Sequence, residues 1–259
     1  MSLSTDTLFH FSNLDAITGI LKGKLFWPVY NLETFTSEYY KDHKYAIPMV
    51  CFCDLDFHLT EFHKKEYGAF AIGVKKSWAI ENKLNPVSYQ LEQSAFTSAN
   101  ESLYQLLSAL IDDSARDELP KEIMDSQIRN LKIKHLIHKF LLTINVFKKQ
   151  YMSNGINYYD EREWRYVPEM VPDDFLEYEI SRNNVFHRLA IDEKTFENEV
   201  EKKQYQDYIN VNYPLKFNEN DVDIIIVETK NEKTKIQETL ELYCSNSFLT
   251  NKIKTYQEL

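Results

Sequence analysis

Residues Tyr158–Pro168 read YYDEREWRYVP, a run that sets Glu161 and Glu163 beside Arg162, Arg165 and Trp164 in what otherwise has the look of a β-strand. Strand alternation puts Glu161, Glu163 and Arg165 on one face and Arg162, Trp164 and Tyr166 on the other. Strands avoid such charge density unless the face is solvated or forms a site. Two carboxylates at i and i+2 lie a few ångströms apart, and like charges that close raise one pKa, which suits general acid/base or cation-stabilising work. The plainer reading is ion pairing with Arg162, Arg165 and the Lys148/Lys149 pair. Both readings stand on spacing alone.

The segments before this run alternate between strand and helix. Thr7–Phe11 (TLFHF) reads as a strand with His10 near its end, a position from which a side chain can reach a cleft. Ser12 is in place to cap a helix, with Asp15 three residues on, apolar positions Leu14, Ile17 and Leu21, and Gly23 as its stop. Residues 31–45 lack a period and read as an exposed loop. Ala46–Asp54 (AIPMVCFCD) is continuous enough in apolar character for a buried strand, Leu55–Lys65 reads as helix, and Tyr67–Val74 returns as strand. A helical turn at 77–83 precedes a strand at Asn85–Leu91. From about 95 to 150 the pattern is helical, with helices near 99–112 and 121–150, and reads as an insertion. After Gly155 strands return at 158–167, Val185–Ile191 and Val222–Val227, with amphipathic helices at 194–209 and 232–245. The order predicts a single α+β domain over 1–259 with a helical insertion.

Composition narrows the chemistry. With 259 residues and 43% hydrophobic content the chain can bury a sizeable core, and five glycines leave no G-x-G-x-x-G and no Walker A loop. A net charge of −10 disfavours unspecific binding along nucleic acid. Against that average, Ser126–Tyr159 carries no acidic residue and includes Arg129, Lys132, Lys134, Lys139, Lys148 and Lys149. Three cysteines, no membrane-length apolar run and no secretory start predict a soluble, cytoplasmic protein with reduced thiols. Cys51-x-Cys53 with His58 and His63 has the wrong spacing for a zinc knuckle, so no metal is expected. A Cys nucleophile paired with His10 is a similarly weak candidate. Arg129…His135 and Arg182…His187 fit the loose R-x(4–6)-H pattern of HEPN ribonucleases, the first on a basic predicted helix.

LFHFSNLDAITGILKG, IPMVCFCDLDF, EYGAFAIGVKKSWA, LNPVSY and YYDEREWRYVP, in this order over Leu8–Pro168, together resemble the AbiGi family of abortive phage resistance proteins. That family is described as the antitoxin partner of a toxin–antitoxin pair. Its motif order is similar to that of ADP-ribosyltransferases, in which a His closes the first strand, an aromatic follows, and a Glu stands on a later strand. The resemblance implies an ADP-ribosyltransferase-like fold with a mixed or antiparallel sheet, and NAD as substrate. His10 would then hydrogen-bond a ribose, Tyr67 or Phe52 would stack on nicotinamide, and Arg165 would join the cofactor-binding set. Glu163 would stabilise the positive charge that develops as nicotinamide leaves, and Glu161 would orient the acceptor. In the family pattern Thr or Gly often follows the His, whereas here Phe11-Ser12 follows. Three functions remain open: NAD-dependent transfer to a protein or nucleic-acid acceptor in phage defence, a non-enzymatic antitoxin binding a cognate toxin or phage-derived protein, and a HEPN-type ribonuclease.

Overall fold

A computed structural model describes residues 5–35, 43–91, 94–111, 144, 146–153, 155–168, 190–243 and 249–259. Arg129, His135, Arg182, His187 and Cys244 lie outside these, as do most of the predicted helix 121–150 and of the predicted strand 185–191.

The chain opens with β1 (Thr7–Ser12), whose Leu8 packs on one side of the sheet and whose Phe9 and Phe11 pack on the other. Helix α1 (Leu14–Gly23) follows directly. Its cap is Asn13, whose side chain accepts from Ala16 N at 2.9 Å, because Ser12 is still paired in β1. The helix stops at Lys24, in the left-handed conformation at φ 52°, one residue beyond the expected Gly23.

Within the predicted loop 31–45, the described residues 31–35 and 43–45 are strand instead. They supply most of β3 (Val29–Phe35) and the start of β4 (His43–Cys53), which follow the short β2 (Leu25–Phe26). The two strands pair antiparallel from Val29↔Met49 to Phe35↔His43. Tyr30 is buried in β3 while Val29 and Leu32 are exposed, so no hydrophobic alternation marks the strand. A 3₁₀ turn (Phe57–Leu59) and α2 (Glu61–Tyr67) lead into β5 (Phe70–Lys75), so Tyr67 ends a helix rather than starting a strand. The predicted strand 85–91 divides after α3 (Lys76–Glu81): β6 (Asn85–Pro86) pairs with the later β11, whereas β7 (Ser88–Gln90) turns away.

Helix α4 (Ala95–Ile111) follows, at the start of the segment predicted to be helical. The end of the predicted second helix is instead a strand, β8 (Lys148–Gln150), parallel to β7. A small hairpin of β9 (Met152–Ser153) and β10 (Ile156–Asn157), then a 3₁₀ turn (Tyr158–Glu161), deliver β11 (Glu163–Tyr166). Next come β12 (Ile191–Asp192), α5 (Glu193–Glu197), α6 (Glu199–Asn212), β13 (Leu215–Lys216, against β2), β14 (Val222–Val227), α7 (Lys230–Tyr243) and β15 (Ile253–Thr255).

The main sheet runs β15-β14-β5-β1-β4-β11-β6, antiparallel except for β14–β15, with β3 and β12 also on β4. This is a mixed-sheet α+β fold. Ile72, Val74, Ile225 and Val227 meet α1 and α7 on one face, and Ala71 and Ile226 meet Phe57 on the other. A third cluster gathers Tyr30, Ile47, Met49 and Ile209 around β3, β4 and α6. Each buried Ile or Leu of these layers contributes roughly 1.5–3 kcal/mol of apolar burial. One discontinuity decides where a site can form. Strand β1 meets β4 only at Phe9↔Cys53, and β3 takes over that edge of β4 from Met49 onward.

Candidate functional site

In the split between β1 and β3 a side chain replaces backbone pairing. The imidazole of His10 donates from Nδ1 to the carbonyl of Cys51 at 2.9 Å. A carbonyl can only accept, so Nδ1 carries the proton. Burial holds the His10 pKa below its usual value, against the opposing pull of that hydrogen bond, which leaves the ring neutral and Nε2 an acceptor. The ring packs 5.2 Å from Phe26 and 5.6 Å from Phe52.

Beside it opens a cavity of about 590 Å³, walled by α1, β1, β3, β4, α2, Lys149 and the residues around β11. Its lining includes His10, Phe52, Tyr67, Glu161, Glu163 and Arg165, the residues that the family resemblance assigns to an NAD site. Phe52 is 2% exposed and wedged among Phe26, Trp78 and His10, whereas Tyr67 is 51% exposed at the end of α2. Of the two aromatics, Tyr67 is therefore the one with a face open to a ligand. Burial and the nearby Glu161 push its hydroxyl up to about 12.

The two carboxylates are not neighbours on one strand. Glu161 closes the 3₁₀ turn, Arg162 takes the left-handed conformation at φ 48°, and only then does β11 begin at Glu163. The turn nonetheless brings both acids to one cation: Lys149 Nζ lies 2.6 Å from Glu161 Oε2 and 3.1 Å from Glu163 Oε2. Arg165 grips Glu163 from within, Nε to Oε1 at 2.7 Å and a terminal nitrogen to Oε2 at 3.1 Å. Its remaining N–H groups reach Glu33 at 3.1 Å and the Val146 carbonyl at 2.6 Å. Arg162 takes no part in this cluster. Its guanidinium stacks 3.9 Å over Tyr159, and its carbonyl accepts from Asp54 N.

These surroundings separate the two acids. Burial alone would raise Glu163, but the charges of Arg165 and Lys149 outweigh it and bring the pKa down to about 2. For Glu161 burial prevails over Lys149, and the neighbouring Glu163 adds to it, so that its pKa is raised. Two acids pushed apart by environment are what acid/base division of labour needs. Tyr89 Oη accepts from Glu163 N at 2.8 Å and fixes the start of the strand.

His63 also lines the cavity. Its Nε2 donates to the Glu161 carbonyl at 3.2 Å, and Nδ1 stands 3.9 Å from Cys53 Sγ. Burial pushes the Cys53 thiol up to about 12 and Cys51 well above the ordinary range, so both are protonated thiols rather than nucleophiles. Among the described residues no group of three or more His, Cys, Asp or Glu could hold a metal. No described helix is long and apolar enough to cross a membrane. Sequence reasoning missed Glu33, hidden in a segment read as loop and far along the chain from Arg165, and gave Lys149 only a pairing role.

A family model described as "Putative abortive phage resistance protein AbiGi, antitoxin" matches residues 24–228. The abortive phage resistance protein AbiGi of Lactococcus lactis subsp. cremoris is 29% identical over 139 residues, 51% of this chain and 55% of that protein. The chain thus spans about half the length of the curated relative it matches. No solved structure matches. The family match takes in the cavity residues from Phe26 to Arg165 and leaves His10 and α1 outside. Since it spans most of the 259 residues, the chain belongs to the AbiGi family.

Proposed function

We propose that this chain acts in abortive-infection phage defence, and that its fold is ADP-ribosyltransferase-like with an NAD-binding, ADP-ribosyl-transferring cavity. One observation carries the reading: His10, Phe52, Tyr67 and the Glu161–Arg165 run, from four separated segments, line one cavity at the split of the sheet. The lining fits the ligand's chemistry. Tyr67 offers an aromatic face to a planar ring, His10 Nε2 is a neutral acceptor for a ribose hydroxyl, and Glu163 stays ionised at neutral pH. In the transfer, the bond from ribose to nicotinamide breaks with its electron pair leaving on nicotinamide. The acceptor's nucleophilic atom bonds the same ribose carbon and gives up its proton. On this reading Glu163 stabilises positive charge on the ribose, and Glu161, the less acidic of the pair, orients the acceptor or takes its proton. Arg165, engaged with Glu163, Glu33 and Val146, positions Glu163.

The test is NAD binding and consumption by the purified chain, with and without extract from phage-infected cells. Glu163→Gln should abolish consumption, and Tyr67→Ala should weaken NAD binding about tenfold, roughly 1.4 kcal/mol, with little change in melting temperature. A wild-type chain that neither binds nor consumes NAD would sink the transferase reading.

A second reading has its own support. The family description names an antitoxin, and both oxygens of Glu163 already face cations. On this reading the chain neutralises a cognate toxin by contact, and Glu163→Gln leaves that neutralisation intact.

A further inference from the structure

Lys149 lines the cavity yet has no place in the transfer chemistry above. It is the middle residue of β8, and its ammonium contacts both Glu161 and Glu163, at 2.6 and 3.1 Å. The side chains of the two acids are 6% and 8% exposed and that of the lysine 21%, so the amine closes the pair from its more open side. Glu163 does not depend on it, because Arg165 engages both Glu163 oxygens from the buried side. The Tyr158 ring lies 4.9 Å from the same ammonium. Two carboxylates and an aromatic ring around one point are groups that attract a cation, although Tyr158 is not itself part of the cavity lining. Across the cluster Glu33, Glu161 and Glu163 face Arg165 and Lys149, three negative charges against two positive, and withdrawing the ammonium leaves the cavity richer in negative charge.

We propose that the Lys149 ammonium is a built-in occupant of the subsite for a planar aromatic cation, and that such a ligand must displace it from Glu161 and Glu163 to enter. The inference rests on the dinucleotide reading in naming a pyridinium as that cation. Its own content is narrower: the cavity selects positive charge, and Lys149 holds that position in the ligand-free protein. The negative charge of the resting site is thereby reduced by its own chain.

Two probes share one ring and differ in charge: 1-methylnicotinamide, a permanent pyridinium cation, and neutral nicotinamide. Binding of each to the full chain is measured for wild type, Lys149→Met and the double variant Lys149→Met/Glu161→Gln. The double variant removes one charge of each sign, which guards against loss of fold from a bare carboxylate pair. Both variants should bind the cation at least about tenfold tighter than wild type, while nicotinamide affinity changes less than about twofold. An equal gain for both probes means only that space was opened, and overturns the proposal, as does no gain for the cation. In wild type, saturating 1-methylnicotinamide should speed reductive methylation of Lys149 and nicotinamide should not; an unchanged rate overturns the proposal too. Tighter cation binding without NAD consumption in any form would remove the transferase reading and leave this one in place.

Discussion

Arg165 is 2% exposed, and its guanidinium joins β11 to β3 through Glu33, to Glu163 on its own strand, and to the Val146 carbonyl. Removing one partner of such a cluster strands the others in a low-dielectric interior, which typically costs about 3–5 kcal/mol. Arg165→Met should therefore lose about that much stability by urea denaturation. Arg165→Lys should recover only part of it, because an ammonium cannot reproduce the bidentate fork. Glu163→Gln should cost less than Arg165→Met, since Glu33 still neutralises the arginine, so its effect on NAD chemistry can be read apart from its effect on folding. Titration gives a further prediction. Burial lowers the pKa of His10 and His63 from 6.5, so below that pH the unfolded chain binds protons that the folded chain refuses. Stability should fall as pH drops through this range. A second loss belongs to Glu163, whose folded pKa of about 2 lies below its ordinary 4.5: its contribution is full above 4.5 and disappears toward 2. Glu161 has the opposite sign, its raised pKa contributing most at low pH, and so blunts that second loss. Melting temperature against pH should show both steps, and His63→Gln should shrink the first. The candidate residues stood out by chemical type and order along the chain rather than by position, for His10 lies inside β1 and Tyr67 ends a helix. Glu33 did not, because its partner Arg165 lies far along the chain and no local period announces the contact.

At the scale of elements, continuous apolar runs made β1, β4, β5 and β14 legible, for these strands are buried on both faces. Elements governed by one backbone torsion were not. The predicted strand 158–167 is a 3₁₀ turn, a left-handed Arg162 and a four-residue strand, and nothing in DEREWR marks where the chain turns. Tyr67 misled for a related reason. Gly68, at φ +115°, separates helix α2 from β5, so the aromatic just before it belongs to the helix. This glycine also lets α2 approach the end of β1: an added Cβ would meet the Ser12 carbonyl oxygen at 2.4 Å. Because backbone cannot swing aside as a side chain can, Gly68→Ala should cost about 2–4 kcal/mol. It should also disturb the β1–α1 junction that follows His10. Thermal melts measure the first effect. The chemical shift of the His10 ring measures the second, and an unshifted His10 signal would argue that the junction yields elsewhere.

The whole molecule is a sheet whose split edge is completed by pieces from distant parts of the chain, with Lys149 brought in beyond the helical segment. Among the described residues, none of the three buried clusters draws a member from 95 to 143, and α4 leaves Phe96 and Leu106 exposed. The shift from strand to helix near residue 95 was visible as a change of period. The return through β8 was not, since three residues are too few to show one. At the base of this segment β7 and β8 run parallel over Ser88↔Lys148 to Gln90↔Gln150. A parallel pair requires a crossover, but a short flexible one suffices over three residues, and shortening a loop adds little closure entropy. If 95–143 is an insertion, replacing it by a Gly/Ser linker of about eight residues should leave one cooperative unfolding transition, within about 2 kcal/mol of the parent. The Lys149–Glu161 contact should survive with it, seen as slow methylation of Lys149 in the folded variant. A chain that aggregates or unfolds without cooperativity would show that 95–143 closes the core. If the proposed role in phage defence holds, a variant that folds but loses that protection would place the contact with a partner in that segment, apart from the cavity.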